Sequence, residues 1–155
     1  MNPDFEDILR ALVHCNARFL VVGAHALAAH GVPRSTGDLD IWVEPTSENA
    51  QRVWEALAEF GAPVDNLGVT SADFTAPNMV VQLGLPPGRI DLLTGLSGLT
   101  FEDAWRDRVS HNMGDVAIPF LGRAAFIANK RATARLKDLA DLEALGEDPE
   151  HPRGR

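Results

Sequence analysis

Apolar positions along this chain switch between a helical and a strand-like period, and the switches mark its elements. Phe5, Ile8, Leu9, Leu12 and Val13 fall at i, i+3, i+4, i+7 and i+8, the stripe of an amphipathic helix. Asn2 can cap that helix, with Pro3 at its first position. Arg18 to Val22 reads as a short buried strand. Gly23 and Ala24 form a turn without a bulky side chain. Ala24, Leu27, Ala28 and Gly31 then give a short helix a small-residue face, and Gly31 and Pro33 end it. The next strand alternates: Leu39, Ile41 and Val43 point into core, and Asp38 and Asp40 share the other face.

After Pro45, Thr46 or Ser47 caps a helix with the stripe Ala50, Val53, Trp54, Leu57 and Ala58, stopped by Gly61 and Pro63. Residues 64–78 lack a period and predict a loop or one short helical turn. Met79 to Leu83 and Arg89 to Leu93 flank Leu85-Pro86-Pro87-Gly88, a rigid turn, and predict a hairpin. The sheet is therefore mixed. Ser97 to Arg108 holds a short helix with Phe101, Ala104 and Trp105 on one side. Val109 to Asn112 and Val116 to Phe120 suggest a second hairpin. Arg123 to Arg131 and Leu136 to Leu145 read as helices, the second with Leu139, Leu142 and Leu145 at helical spacing. Residues 146–155 read as a disordered tail. The fold class is α+β, a mixed sheet flanked by helices, in one domain over residues 1–145.

The chemistry centres on Asp38 and Asp40. Two carboxylates on one face of a strand repel and cost stability unless a cation neutralises them. Hard oxygen ligands of this kind suit Mg²⁺ bridging to phosphates. Asp91 lies between Ile90 and Leu92 in an apolar strand, where an acid needs a partner, a metal or a solvent-facing position. With the Asp38/Asp40 pair upstream, a third ligand is the better reading.

Other polar residues have competing roles. Arg34, just before the carboxylates, can reach a nucleotide phosphate or simply pair with Asp38 or with solvent. His25 and His30 are five apart, so they share no helical face and do not suggest a metal pair. Trp42 has the parity of Asp38 and Asp40, but packing is the commoner role for a strand tryptophan. Cys15, the single cysteine, excludes an intramolecular disulfide, argues against a cysteine-based zinc site and reads as a packing residue. Asp138 and Asp141 read as helix-surface partners of Arg135 and Lys137.

The net charge of −8 argues against a generally basic nucleic-acid surface. Within that acidic chain, Arg123, Lys130, Arg131, Arg135 and Lys137 form a local basic cluster. Most are ordinary helix charges, with Lys130 as the candidate for a triphosphate contact. No apolar run approaches a membrane span, and the acidic N-terminus lacks the basic lead of a signal peptide. The cytoplasm is the expected compartment.

Gly23-Ala24, a helix, then Asp38-Leu39-Asp40 on a strand, then Asp91 on a later strand, resembles the nucleotidyltransferase superfamily with its polymerase-beta-like fold. The commonest form of the turn is Gly-Gly or Gly-Ser. Gly-Ala here removes a serine hydroxyl and leaves phosphate contact to backbone N–H groups. Residues 81–94 (VQLGLPPGRIDLLT) and 129–143 (NKRATARLKDLADLE) look like small bacterial members related to abortive-infection and toxin–antitoxin nucleotidyltransferases.

The resemblance implies transfer of a nucleoside monophosphate from an NTP to a hydroxyl, with tRNA or a protein as the favoured acceptor. Asp38, Asp40 and Asp91 would hold two Mg²⁺ ions, with Mn²⁺ as a substitute, about 4 Å apart. Asp91 would also help deprotonate the acceptor hydroxyl. Gly23 and Ala24 would admit the triphosphate, and Lys130 and Arg34 would offset its charge. Two rivals are a non-catalytic nucleotide-binding domain and an antitoxin-like interaction protein with a cognate partner.

Overall fold

The computed structural model describes residues 2–32, 37–85 and 88–147. Arg34, Pro33, Pro86, Pro87 and the tail from residue 148 lie outside them. Helix α1 (Pro3–His14) starts as expected, with Asn2 Oδ1 accepting from Asp4 N at 2.8 Å. Phe5, Ile8, Leu9, Ala11 and Leu12 form its buried face. Strand β1 (Phe19–Val22) is buried throughout. Helix α2 (Gly23–Ala29) follows without a loop. Its buried residues are Ala26 and Leu27, so Leu27 is buried as expected, while Ala24 is only half-buried and Ala28 is exposed.

Strand β2 (Leu39–Val43) begins one residue after Asp38. Helix α3 (Ser47–Phe60) is capped by Thr46 and ends at Gly61 in the left-handed conformation, φ 94°. The buried Asn49 side chain accepts from Arg18 N and donates to the carbonyls of Arg18 and Glu44, tying α3 to the ends of β1 and β2. Residues 64–78 hold two 3-10 turns, Val64–Asn66 and Ser71–Thr75, where one was the most expected. They are too short to show a period. Phe74 anchors the second in the core.

The remaining elements are β3 (Val80–Leu83), β4 (Ile90–Leu93), α4 (Phe101–Asp107), β5 (Val109–Met113), β6 (Val116–Phe120), α5 (Arg123–Thr133) and α6 (Leu136–Ala144). The strands form one six-stranded sheet in the order β3-β4-β2-β1-β6-β5. Both expected hairpins are present and antiparallel. Pairing of β2 with β4, and of β1 with β6, is parallel. Helix α1 packs on α3, and α5 packs on α4 and α6. Trp42 is core, edge-on to Phe101 at 5.2 Å between centroids.

Gly146 and Glu147, expected in a tail, continue the packed structure. Glu147 is 7% exposed and accepts from Arg123 at 2.8 Å. A buried carboxylate is retained only with such a partner.

Candidate active site

The parallel register of β2 and β4 sets Asp40 directly beside Asp91. Residues opposed in register project to the same face of a sheet. On the other side of β2, Asp40 is opposite Val22, the last residue of β1. The chain turns immediately at Gly23, with φ +69°. A Cβ at Gly23 would collide with Asp40 Oδ2. The glycine is there because a carboxylate occupies the space a side chain would need. Asp38, on the bend before β2, accepts from Arg89 N at 3.2 Å.

These carboxylates meet in a cleft of about 710 Å³. Gly23, Ala24, Asp38, Asp40 and Asp91 line it together with Arg89, Asn129, Lys130, Arg135, Lys137 and Asp141. Burial, then the neighbouring Asp91, then Asp38, push the Asp40 carboxyl up to about 6. Arg89 opposes that rise. Its guanidinium donates from Nε to Asp91 Oδ1 at 2.8 Å and from a terminal nitrogen to Asp91 Oδ2 at 3.1 Å. It also lies 3.4 Å from Asp38 Oδ2. One guanidinium thus faces three carboxylates, a site with excess negative charge and only oxygen donors.

That donor set fits a hard divalent cation such as Mg²⁺. Sequence reasoning did not single out Arg89. Its signal is local: it stands two residues before Asp91, with the same strand parity.

Lys130 reaches the cleft but carries a structural task. It is 8% exposed, with Nζ 3.3 Å from Asp138 Oδ1 and 3.6 Å from Asp141 Oδ2. Burial lowers its pKa, and Asp138 opposes the change. Asp138 and Asp141 are buried, so they are not the surface partners expected from helix spacing. Asp138 also accepts from Arg135 Nε at 2.7 Å and Arg135 N at 3.1 Å. Burial pushes the Asp138 carboxyl up, but these bonds, with Thr133 and Lys130, hold it well below the usual range. Lys137, by contrast, is exposed and lines the cleft with no ion-pair partner among the described residues.

His25 packs edge-on against Phe5 at 5.6 Å, and burial lowers its pKa. His30 Nε2 lies 2.8 Å from the Leu121 carbonyl oxygen, as a donor in the matching tautomer. Neither histidine lines the cleft.

A crystal structure of a proposed nucleotidyltransferase from Thermotoga maritima matches this chain with a TM-score of 0.56 at 17% sequence identity. The match covers 94% of this chain and 92% of the other. The fold is nucleotidyltransferase-like. No protein-family model and no curated protein matches the sequence. No helix of the described residues is long and apolar enough to cross a membrane.

Proposed function

We propose that the protein transfers a nucleoside monophosphate from an NTP to a hydroxyl group, releasing pyrophosphate. The observation that carries this reading is the pairing of Asp40 with Asp91 across β2 and β4, closed from behind by Gly23. Asp38, Asp40 and Asp91 would hold Mg²⁺, or Mn²⁺ in its place. The bound cation would offset phosphate charge and favour an ionised acceptor hydroxyl.

The chain's own groups divide the remaining work. Gly23 and Ala24 bring no bulky side chain to the cleft lining, which would leave room for phosphate oxygens. The exposed Lys137, the partly committed Arg135 and the deep Lys130 supply positive charge along its wall. Arg34, outside the described residues, remains a candidate by its position before Asp38. Asp91 would help deprotonate the acceptor hydroxyl once Arg89 turns away from it. The favoured acceptor is a macromolecule, tRNA or a protein, in a toxin-type reaction with a cognate partner protein.

One observation favours a second reading. Arg89 bridges Asp91 and Asp38 in the manner of a resident cation. A domain that had lost catalysis could retain its carboxylates by neutralising them so. A thermal-shift panel of the four NTPs with and without Mg²⁺ tests the proposal. A ligand held only by the folded state at 100 times its Kd adds about 2.7 kcal/mol. Stabilisation that needs both NTP and Mg²⁺ supports the enzyme. NTP stabilisation indifferent to Mg²⁺ supports the non-catalytic domain, and no stabilisation removes both.

A further inference from the structure

The last turns of α1 and α3 bring three different donor atoms together away from the carboxylate cleft. His14 is the final residue of α1, Cys15 is its C-cap, and Glu59 is next to last in α3. His14 Nδ1 lies 2.6 Å from Glu59 Oε1, and Cys15 Sγ donates to Glu59 Oε2 at 3.3 Å. Donor atoms of the three residues all lie within 4.8 Å of one another. His14 and Glu59 also border a cavity of about 510 Å³ that shares no lining residue with the cleft.

The surroundings favour a cation. Two helix C-termini meet here, and the negative ends of their dipoles favour positive charge. Glu55, one turn before Glu59, adds a further charge that acts on Cys15. Arg10 lines the same cavity, but its guanidinium is directed to Asp115 at 3.3 Å.

We propose that His14, Cys15 and Glu59 form a binding site for a transition-metal ion of the Zn²⁺ type. Nitrogen, sulfur and oxygen donors in one set select zinc or cobalt over magnesium or calcium, which take oxygen. Three protein ligands leave the fourth tetrahedral position to water or to an incoming group. A tetrahedral zinc site brings its donors to roughly 3.5 Å apart. The side chains of His14 and Glu59 are 76% and 43% exposed, so they can rotate to close the difference. Coordination replaces the two hydrogen bonds to Glu59 and releases the Cys15 thiol proton to solvent. The ion would fasten α1 to α3 beside the sheet. This inference is independent of the chemistry assigned to the cleft.

The test is a Co²⁺ titration of the reduced, tag-free full chain, followed by absorption. A bound thiolate produces a sulfur-to-cobalt charge-transfer band in the near ultraviolet, and tetrahedral coordination produces visible d–d bands. Cys15→Ser should abolish the charge-transfer band. His14→Ala and Glu59→Gln should each weaken Co²⁺ binding at least about tenfold. Zn²⁺ should bleach the spectrum, and excess Mg²⁺ should not. Asp40→Asn should leave the spectrum intact, which separates this site from the cleft. Zn²⁺ should raise the melting temperature of wild type and not of Cys15→Ser. Cobalt binding without the sulfur band, or undiminished by His14→Ala and Glu59→Gln, would overturn the proposal, as would no binding.

Discussion

Arg89 grips both oxygens of Asp91, at 2.8 and 3.1 Å, two residues apart on one edge of the cleft. The same guanidinium stands 3.4 Å from Asp38. A cation drawn to this site meets a competitor already in place. Charge-assisted hydrogen bonds of this kind hold the guanidinium where an incoming ion would sit. Arg89→Gln should therefore tighten Mn²⁺ binding. Calorimetric titration of wild type and variant measures it. Weaker binding in the variant would mean that Arg89 positions Asp91 for the metal and does not compete with it.

Asp40 makes the cleft sensitive to pH. Its carboxyl is pushed up to about 6 in the fold, against 3.8 for the free group. Because the folded state holds this proton more tightly, the group favours folding below pH 3.8, and that contribution is lost as pH rises toward 6. At pH 7 the ionised carboxylate then costs on the order of 2–3 kcal/mol. Asp40→Asn removes the cost. Its stability gain over wild type should be large at pH 7 and small at pH 4. A gain of equal size at both pH values would show that ionisation of Asp40 is not the cause. Divalent-ion binding should have the opposite trend, weakening below about pH 6 as protons compete for Asp40.

Gly23 should tolerate no side chain. Its φ of +69° alone costs an L-residue roughly 1–2 kcal/mol, and the new Cβ would also displace the Asp40 carboxylate. Gly23→Ala should lower the melting temperature, and Asp40→Gly in the same chain should restore part of the loss by making room. Independent, additive effects in that double-mutant cycle would contradict the contact.

Lys130 and Lys137 should separate cleanly. Removing Lys130 takes one of the charges that hold the buried Asp138 and Asp141, with Arg135 still on Asp138, so Lys130→Met should cost about 1–3 kcal/mol in urea unfolding. Lys137→Ala should leave stability within about 0.5 kcal/mol of wild type and weaken NTP binding more than NMP binding. Equal losses for NTP and NMP would return Lys137 to the class of solvated helix charges.

Much of this arrangement is legible locally. The period-2 alternation of Leu39, Ile41 and Val43 against Asp40 marks a strand with a polar face, and the structure keeps it. Asn2, Thr46 and Gly61 mark helix ends because caps are local hydrogen-bond problems. The pairing of β2 with β4 is not local. Asp40 and Asp91 are far apart in sequence, and no residue nearby encodes a parallel register. The face of α6 is misread for another reason. Asp138, Asp141 and Leu142 form its buried side, with Leu139 only partly covered, because Lys130 and Arg135 neutralise the acids from outside the helix. A pattern read by hydropathy alone assigns such acids to solvent.

The central claim is nucleotidyl transfer at the Asp38, Asp40 and Asp91 carboxylates. Its most direct measurement is incubation of the protein with Mg²⁺, α-labelled NTPs and cell lysate, followed by separation of RNA, protein and small molecules. Transfer of label to a tRNA or protein band, with matching pyrophosphate release and loss of both in Asp40→Asn, is the predicted result. Label only in small molecules would replace the macromolecular acceptor with a small hydroxyl compound. Absence of label from every fraction with each NTP, or label undiminished in Asp40→Asn, would contradict the account.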